Sequence, residues 1–199
     1  MQQPGWQSNP VATTPDGVAL SGWWKRVAAR IIDSFVVGLV ATPLVFGPIQ
    51  NLFTVFGDYF EKIQAAVKAG SATAPVLDPD LLRGPLLQVS LTVLAVYLVY
   101  EVALLTRTGA TLGKRAMGIS VRLRDTPGPP PLVAVLKRTA VKEGGRLIAS
   151  VPVLGAMGSL FNVLDVLWPL WDNNKQAIHD KVAATNVVVG PQPKRDARP

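Results

Sequence analysis

Three stretches of this chain are almost free of charge, and the segments between them are crowded with Lys and Arg. They run at about 31–56, 86–105 and 147–171, and their only charged residues are Asp33, Glu101 and Asp165 respectively. About 20 consecutive apolar residues suffice for a helix to cross the ~30 Å hydrocarbon core of a bilayer. A helix that is apolar on every face must be buried in a large protein or in lipid, and 199 residues make only one modest domain. The chain is therefore expected to be an integral membrane protein. Its overall apolar fraction of 49% is ordinary for a soluble protein; the clustering of the apolar residues carries the argument.

The remaining segments read in order. Residues 1–19 are polar, rich in Pro, Gln, Gly and Thr, and are expected to be a disordered tail. The first apolar segment contains Pro43 and Pro48, which membrane helices tolerate when neighbours satisfy the freed carbonyls. Residues 57–85 form a loop in which Phe60, Ile63, Ala66 and Val67 fall at helical spacing. Tyr97 and Tyr100 sit near the end of the second apolar segment, as interfacial anchors do. Residues 106–146 form a basic loop. Within it Ile119, Val121 and Leu123 alternate with polar positions, a short strand signal, and PGPPP is a rigid turn. From Leu132 the spacing becomes helical. Leu132, Leu136, Ala140 and Leu147 share one side and Arg138, Lys142 and Arg146 another, the pattern of a helix lying on a membrane surface. In the third apolar segment Pro152, Gly155, Gly158 and Ser159 supply a break. The β-branched run Thr185–Val189 is too short to be stable alone. Pairing it with the strand around 119–123 solves that, and requires the third segment to enter the bilayer and turn back. Residues 190–199 are a loose basic tail. The expected fold is an all-α membrane protein, with two to three transmembrane helices (the third segment spanning or re-entrant), an interfacial amphipathic helix and a small cytoplasmic β element. Residues 20–189 form the membrane domain.

Lys/Arg-rich short loops stay cytoplasmic. Lys25, Arg26 and Arg30 precede or open the first span, and the basic loop follows the second, so the N-terminus and the 106–146 loop are expected inside and 57–85 outside. The net charge of +7 lies beside apolar segments, which points to anionic phospholipid, not nucleic acid, as the partner. Lys114, Arg115, Lys137, Arg138, Lys142 and Arg146 are the headgroup candidates. The chain has no Cys and one His, His179, which excludes disulfides, thiolate catalysis and a multi-histidine metal site within one chain.

Three motifs carry chemistry. In WWKRVAARIID, Arg26, Arg30 and Asp33 fall on one helical stripe, and Glu101 sits about as deep in the second span. Carboxylates inside hydrocarbon seek partners. The four make either an ion or proton site or a structural ion pair that holds two helices in register. GATLGKRAMG is one residue short of a phosphate-binding loop and has Arg115 where that loop needs Ser or Thr, so no nucleotide site is expected. NKQAIHDKVAATNVVV places His179 beside Asp180, a proton relay or a local polar anchor. No nucleophile–base set or carboxylate pair can be assembled by spacing, so no catalytic residue, metal or cofactor is assigned and the chain is not read as an enzyme.

In this order the motifs resemble the RDD family of bacterial membrane proteins, named for one Arg and two Asp. The likeness rests on Arg26, Ala29, Ile32 and Asp33; on Thr111, Gly113, Lys114 and Arg115; and on His179, Asp180, Ala183, Thr185, Val187 and Val188. It implies that Arg26 and Asp33 are the first two signature residues and Asp180 the third, with Asp165 as rival. It also implies a bacterial inner-membrane protein, with transport suggested for the family. Two functions are expected from the whole reading: a transporter or transporter subunit for a small ion or solute, coupled to protons, or a non-catalytic membrane anchor or assembly factor that binds anionic lipid or a partner protein. One chain with three apolar segments encloses no obvious pathway, so transport would need a homo-oligomer or a membrane-protein partner.

Overall fold

The computed structural model describes residues 12–149 and 153–193. Pro152 and the basic residues Lys194, Arg195 and Arg198 lie outside the described residues. Helix α1 (Trp23–Lys68) and helix α2 (Pro79–Thr108) are long and apolar enough to cross a membrane. The chain divides into two units, one of Ser34–Val99 and the other of the residues up to Asp33 together with Tyr100 onward.

The Ser34–Val99 unit consists of the inner lengths of α1 and α2 and the connection between them. Phe35, Leu39, Phe46, Phe53, Leu87 and Val99 are all exposed, a surface that water-soluble domains do not present at this density. The helical spacing of Phe60, Ile63, Ala66 and Val67 is realised as a continuation of α1 to Lys68, not as a separate short helix. The second helix starts at Pro79, earlier than the apolar run at Leu86. Pro is pre-shaped for the first position of a helix, and the Asp78 carboxylate accepts the Asp80 N–H at 2.9 Å. The expected loop of 57–85 thus shrinks to residues 69–78.

The other unit is built on strands β1 (Ile119–Leu123) and β2 (Thr185–Val189), which pair antiparallel with Val121 opposite Val187. This is the pairing expected from their shortness. Around them stand α3 (Leu112–Ala116), α4 (Leu132–Ala149), α5 (Gly155–Leu167), a 3₁₀ turn (Trp168–Leu170) and α6 (Ile178–Val182). Ala29, Leu105, Ile119, Val121, Val135 and Val187, drawn from α1, α2, β1, α4 and β2, form the buried apolar core. With 13 residues, α5 spans about 20 Å, too short to cross hydrocarbon alone.

The part of the expected disordered tail that is described, 12–19, is structured. The Val18 carbonyl accepts the Thr14 N–H and the Ala12 carbonyl accepts the Leu20 N–H, around Gly17 at φ +84°. This turn lies along β2: Ser21 N–H donates to Val187 O, and Val189 N–H to Ala19 O, each at 2.9 Å. Its side chains carry little apolar surface, but its backbone completes the ladder of a sheet edge, which composition does not report.

Candidate functional site: a buried charge cluster

Asp33 is 1% exposed, on α1. One carboxylate oxygen accepts the Tyr100 hydroxyl at 2.6 Å and the Gly113 N–H at 2.8 Å; the other accepts the Thr111 hydroxyl at 2.6 Å. Lys114 Nζ stands 3.9 Å away. The T-x-G-K order explains itself here. Thr111 is extended and caps α3, its oxygen accepting the Lys114 N–H at 3.4 Å while its hydroxyl proton goes to Asp33. Gly113 lies so close to α1 that a Cβ would collide with the Ala29 carbonyl and come within 2.8 Å of the Asp33 carboxylate. Ala29 and Gly113 are thus the small residues that let α3 press its N–H groups against Asp33.

Asp180, fully buried on α6, collects the second set of partners. Arg26 Nη1 bonds its Oδ2 at 3.1 Å, where the Ala177 N–H also donates at 3.2 Å. Arg138 of α4 pairs with Oδ1, and the Thr185 hydroxyl donates to the same oxygen at 3.1 Å. Next along the helix, His179 places its backbone N–H 2.9 Å and its Nδ1 2.6 Å from the Asp165 carboxylate of α5. Burial, helped by the Arg138 charge, pushes the His179 pKa down to about 3 against the pull of Asp165. The imidazole is therefore neutral at physiological pH, and its Nδ1–H donates to the carboxylate.

The third node is Glu101 on α2, fully buried, with both oxygens 2.6 Å from Lys142 Nζ on α4. Lys114 joins the nodes. Burial lowers its pKa; Glu101 and Asp33 oppose that shift, and Arg138 adds to it. Arg30 acts on Glu143, which is bonded to Arg146 at 2.9 Å. The arrangement is a set of linked, opposite charges at the N-terminal end of α1 and the C-terminal end of α2. Arg26 Nε and Thr139 Oγ1 are buried with no hydrogen-bond partner among the described residues. Among those residues no group of three or more His, Asp or Glu is placed to hold a metal ion.

The model of a protein family described as the RDD family matches residues 20–184. The chain belongs to the RDD family. No curated protein and no solved structure matches it. The family match takes in Arg26, Asp33, Glu101, Asp165 and Asp180. Arg26 reaches Asp180, whereas Asp165 bonds His179.

Of the four residues expected to cluster, Arg26, Asp33 and Glu101 each find their partners elsewhere: in α6, in α3 and in α4. The headgroup candidates divide. Arg115, Lys137 and Arg146 are exposed, but Lys114 and Arg138 are buried and Lys142 is half-buried, against Asp33, Asp180 and Glu101 respectively, and these three are not free to hold phosphate. The two faces of α4 are therefore set by its buried partners. Arg138 and Lys142 of α4 face the protein, and Leu132, Leu136 and Leu147 face out. Periodicity reveals two faces but not which one is inside; the buried acids on other elements decide that. Tyr100, expected as an interfacial anchor, is a ligand of Asp33 whose oxygen also accepts the Leu112 N–H at 3.0 Å. A tyrosine next to the one acid of an apolar segment was the available signal.

Proposed function

We propose that this RDD protein is a bacterial inner-membrane transporter subunit that moves a small cation or solute coupled to protons, with the buried charge cluster as its ion-handling part. The observation that carries this reading is the linkage of four buried carboxylates, Asp33, Glu101, Asp165 and Asp180, to Arg26, Lys114, Arg138 and Lys142 on the ends of two apolar helices. Ionisable groups are costly at membrane depth and concentrate on ion pathways and proton relays. Holding two helices in register needs one pair; this cluster links six elements. Arg26 Nε and Thr139 Oγ1 are further groups to which a proton-carrying water would bond. In this reading α1 and α2 are the two spans, both termini and the 106–146 loop are cytoplasmic, residues 69–78 face outward, and Arg26, Asp33 and Asp180 are the signature triad. Exposed Arg115 and Lys137 would meet anionic phospholipid, with Arg146, which is bonded to Glu143, beside them; a second copy or a membrane partner completes the pathway, and no enzymatic step is assigned.

One observation favours the alternative, a non-catalytic membrane anchor or assembly factor. Each of the four carboxylates already has hydrogen-bond partners within the chain, as a purely structural network would. Flux into proteoliposomes, across a panel of monovalent and divalent cations with and without a pH gradient, separates the two. Transport predicts a flux that collapses in Glu101→Gln, with the protein still folded. No flux for any cation leaves the anchor. Sidedness is checked with single cysteines in this cysteine-free chain. Thr13→Cys and Pro193→Cys are expected to label from one side and Ala72→Cys from the other.

A further inference from the structure

We infer that Lys114 is the proton-accepting base of the charge cluster, an uncharged amine at neutral pH that becomes an ammonium when it takes up a proton. Its protonation state follows from the geometry around it, while its use in transport rests on the function proposed above. Lys114 stands on α3, in the same unit as Asp33 and Glu101, and is buried. An ammonium carries three N–H donors. Among the described residues Lys114 Nζ has one hydrogen-bond acceptor, Thr111 Oγ1 at 3.3 Å, and that oxygen also accepts the Lys114 backbone N–H at 3.4 Å. The Asp33 carboxylate, at 3.9 Å, is beyond hydrogen-bond distance. Its oxygens are taken instead by the Tyr100 hydroxyl, the Thr111 hydroxyl and the Gly113 N–H, none of them charged. A buried cation whose donors go unmet gives up its proton rather than its solvation.

The surrounding charges act in the same direction. Burial lowers the Lys114 pKa most; Glu101 and Asp33 pull against it, and Arg138 of α4 and Arg30 of α1 push with it. Lys142 shows a lysine that is held: both Glu101 oxygens lie 2.6 Å from its Nζ. Burial still brings Lys142 down to about 7 against the pull of Glu101. Lys114 has no carboxylate so close, so of the two lysines it releases its proton first as pH rises. The other charges nearby are occupied or point away. Arg138 is bonded to Asp180, and Glu143, beside Lys142, to Arg146. On β1, which packs against α3, Arg122 is bonded to Asp16, and Arg115 of α3 itself is exposed. The Lys114 side chain keeps 11% of its surface open, so a proton can arrive through water. The Nζ lone pair takes it from a hydronium ion, leaving a water molecule, and a positive charge then appears beside Asp33 and Glu101. In transport, Lys114 is where the coupled proton rides.

The test is a pH titration of full-length protein carrying isotope-labelled lysine, read by the NMR shifts of the lysine side-chain ends. The Lys114 signal is assigned by its loss in Lys114→Met, or in Lys114→Gln if the first variant does not fold. Lys114 is expected to show an amine-type shift at neutral pH, where an ordinary lysine is an ammonium, and to take up its proton at lower pH than Lys142. An ammonium shift at neutral pH, or uptake at higher pH than Lys142, overturns the inference. Stability supplies a second readout. Below the unfolded pKa of lysine the unfolded chain binds a proton that the folded protein does not, so stability rises with pH. Lys114→Met should raise the thermal midpoint at neutral pH and flatten its rise with pH, whereas Lys142→Met, which strands the Glu101 carboxylate, should lower it. A lowered midpoint with an unchanged slope in Lys114→Met would mark a structural cation and overturn the base. Flux into proteoliposomes separates this from the transport reading. Flux with unaltered pH dependence in Lys114→Met overturns Lys114 as the proton carrier. No flux in the wild type overturns transport, and the NMR titration then decides the base by itself.

Discussion

Arg26 Nη1 and Asp180 Oδ2 meet at 3.1 Å across 154 positions of sequence, and this bond ties the start of the first apolar helix to the end of the family domain. Asp180 also holds Arg138, so the two partners are not equivalent. Asp180→Asn leaves two guanidiniums buried beside a neutral amide and should cost about 3–5 kcal/mol, the scale for breaking a buried pair. Arg26→Met leaves the carboxylate with Arg138, Thr185 and Ala177, and should cost about 1.5–3 kcal/mol, the scale of a charged hydrogen bond. The thermal midpoint in detergent should fall more for Asp180→Asn than for Arg26→Met, and the double variant should lose less than the sum. Equal and additive losses would mean that the pair is not coupled.

Gly113 is expected to be intolerant of even one methyl group. A Cβ there meets the Ala29 backbone and the Asp33 carboxylate, neither the loose end of a flexible side chain. Gly113→Ala should lower the thermal midpoint by the equivalent of about 1–3 kcal/mol, as overpacking does, and free the Thr111 cap. Gly144 is the matched comparison: it lies inside α4 with open space where its Cβ would go. Gly144→Ala should be neutral or stabilising through helix propensity. The reverse order of the two variants would contradict the interlock of α1 and α3.

Neutral His179 makes stability depend on pH in a defined direction. Its folded pKa of about 3 lies below the ordinary 6.5. Between those values the unfolded chain binds the proton and the folded protein does not, so the contribution is complete above pH 6.5 and declines as pH falls towards 3. At pH 5 the loss is about 2 kcal/mol, from 1.36 kcal/mol per pH unit below 6.5. His179→Asn, whose amide can donate to Asp165 as Nδ1–H does, should abolish this part of the slope. A wild-type and a variant that lose equal stability from pH 7 to pH 5 would refute it.

Much of this was legible from the sequence, for identifiable reasons. The long apolar runs mark α1 and α2 because nothing in a chain of this size can bury them. The pairing of β1 with β2 follows because neither five-residue strand is stable alone. What escaped were relations between elements. Arg138 and Lys142 look like surface cations until Asp180 and Glu101 are placed opposite them. Arg26 and Asp33 share a helical stripe, which suggests a mutual cluster, yet each is served by a different later segment. Local spacing reports which residues lie on a common face, while the partner across the gap is set by the tertiary fold.

The structured turn at 12–20 is the other feature that composition hides, and it leads to the last prediction. Asp16 Oδ2 is 2.8 Å from Nη1 of Arg122, a residue of β1 that is almost completely buried. The hydrogen bond from Arg122, with that from Thr14, holds the Asp16 carboxyl below its ordinary value. An acid with a lowered folded pKa contributes above its unfolded value and loses that contribution as pH falls through the folded one, so this clasp should be intact throughout the neutral range. Asp16 is itself exposed, and salt should loosen the clasp. Because Ala19 O accepts the Val189 N–H and Ser21 N–H reaches Val187 O, loosening should appear as faster amide exchange at Val189 and Ser21. Asp16→Asn should raise exchange at these two amides while leaving the β1–β2 pairs protected, and high salt should act on the wild type in the same direction but not on the variant. Unchanged exchange at Val189 in Asp16→Asn would show that backbone pairing alone holds the turn to the sheet, with the ion pair idle.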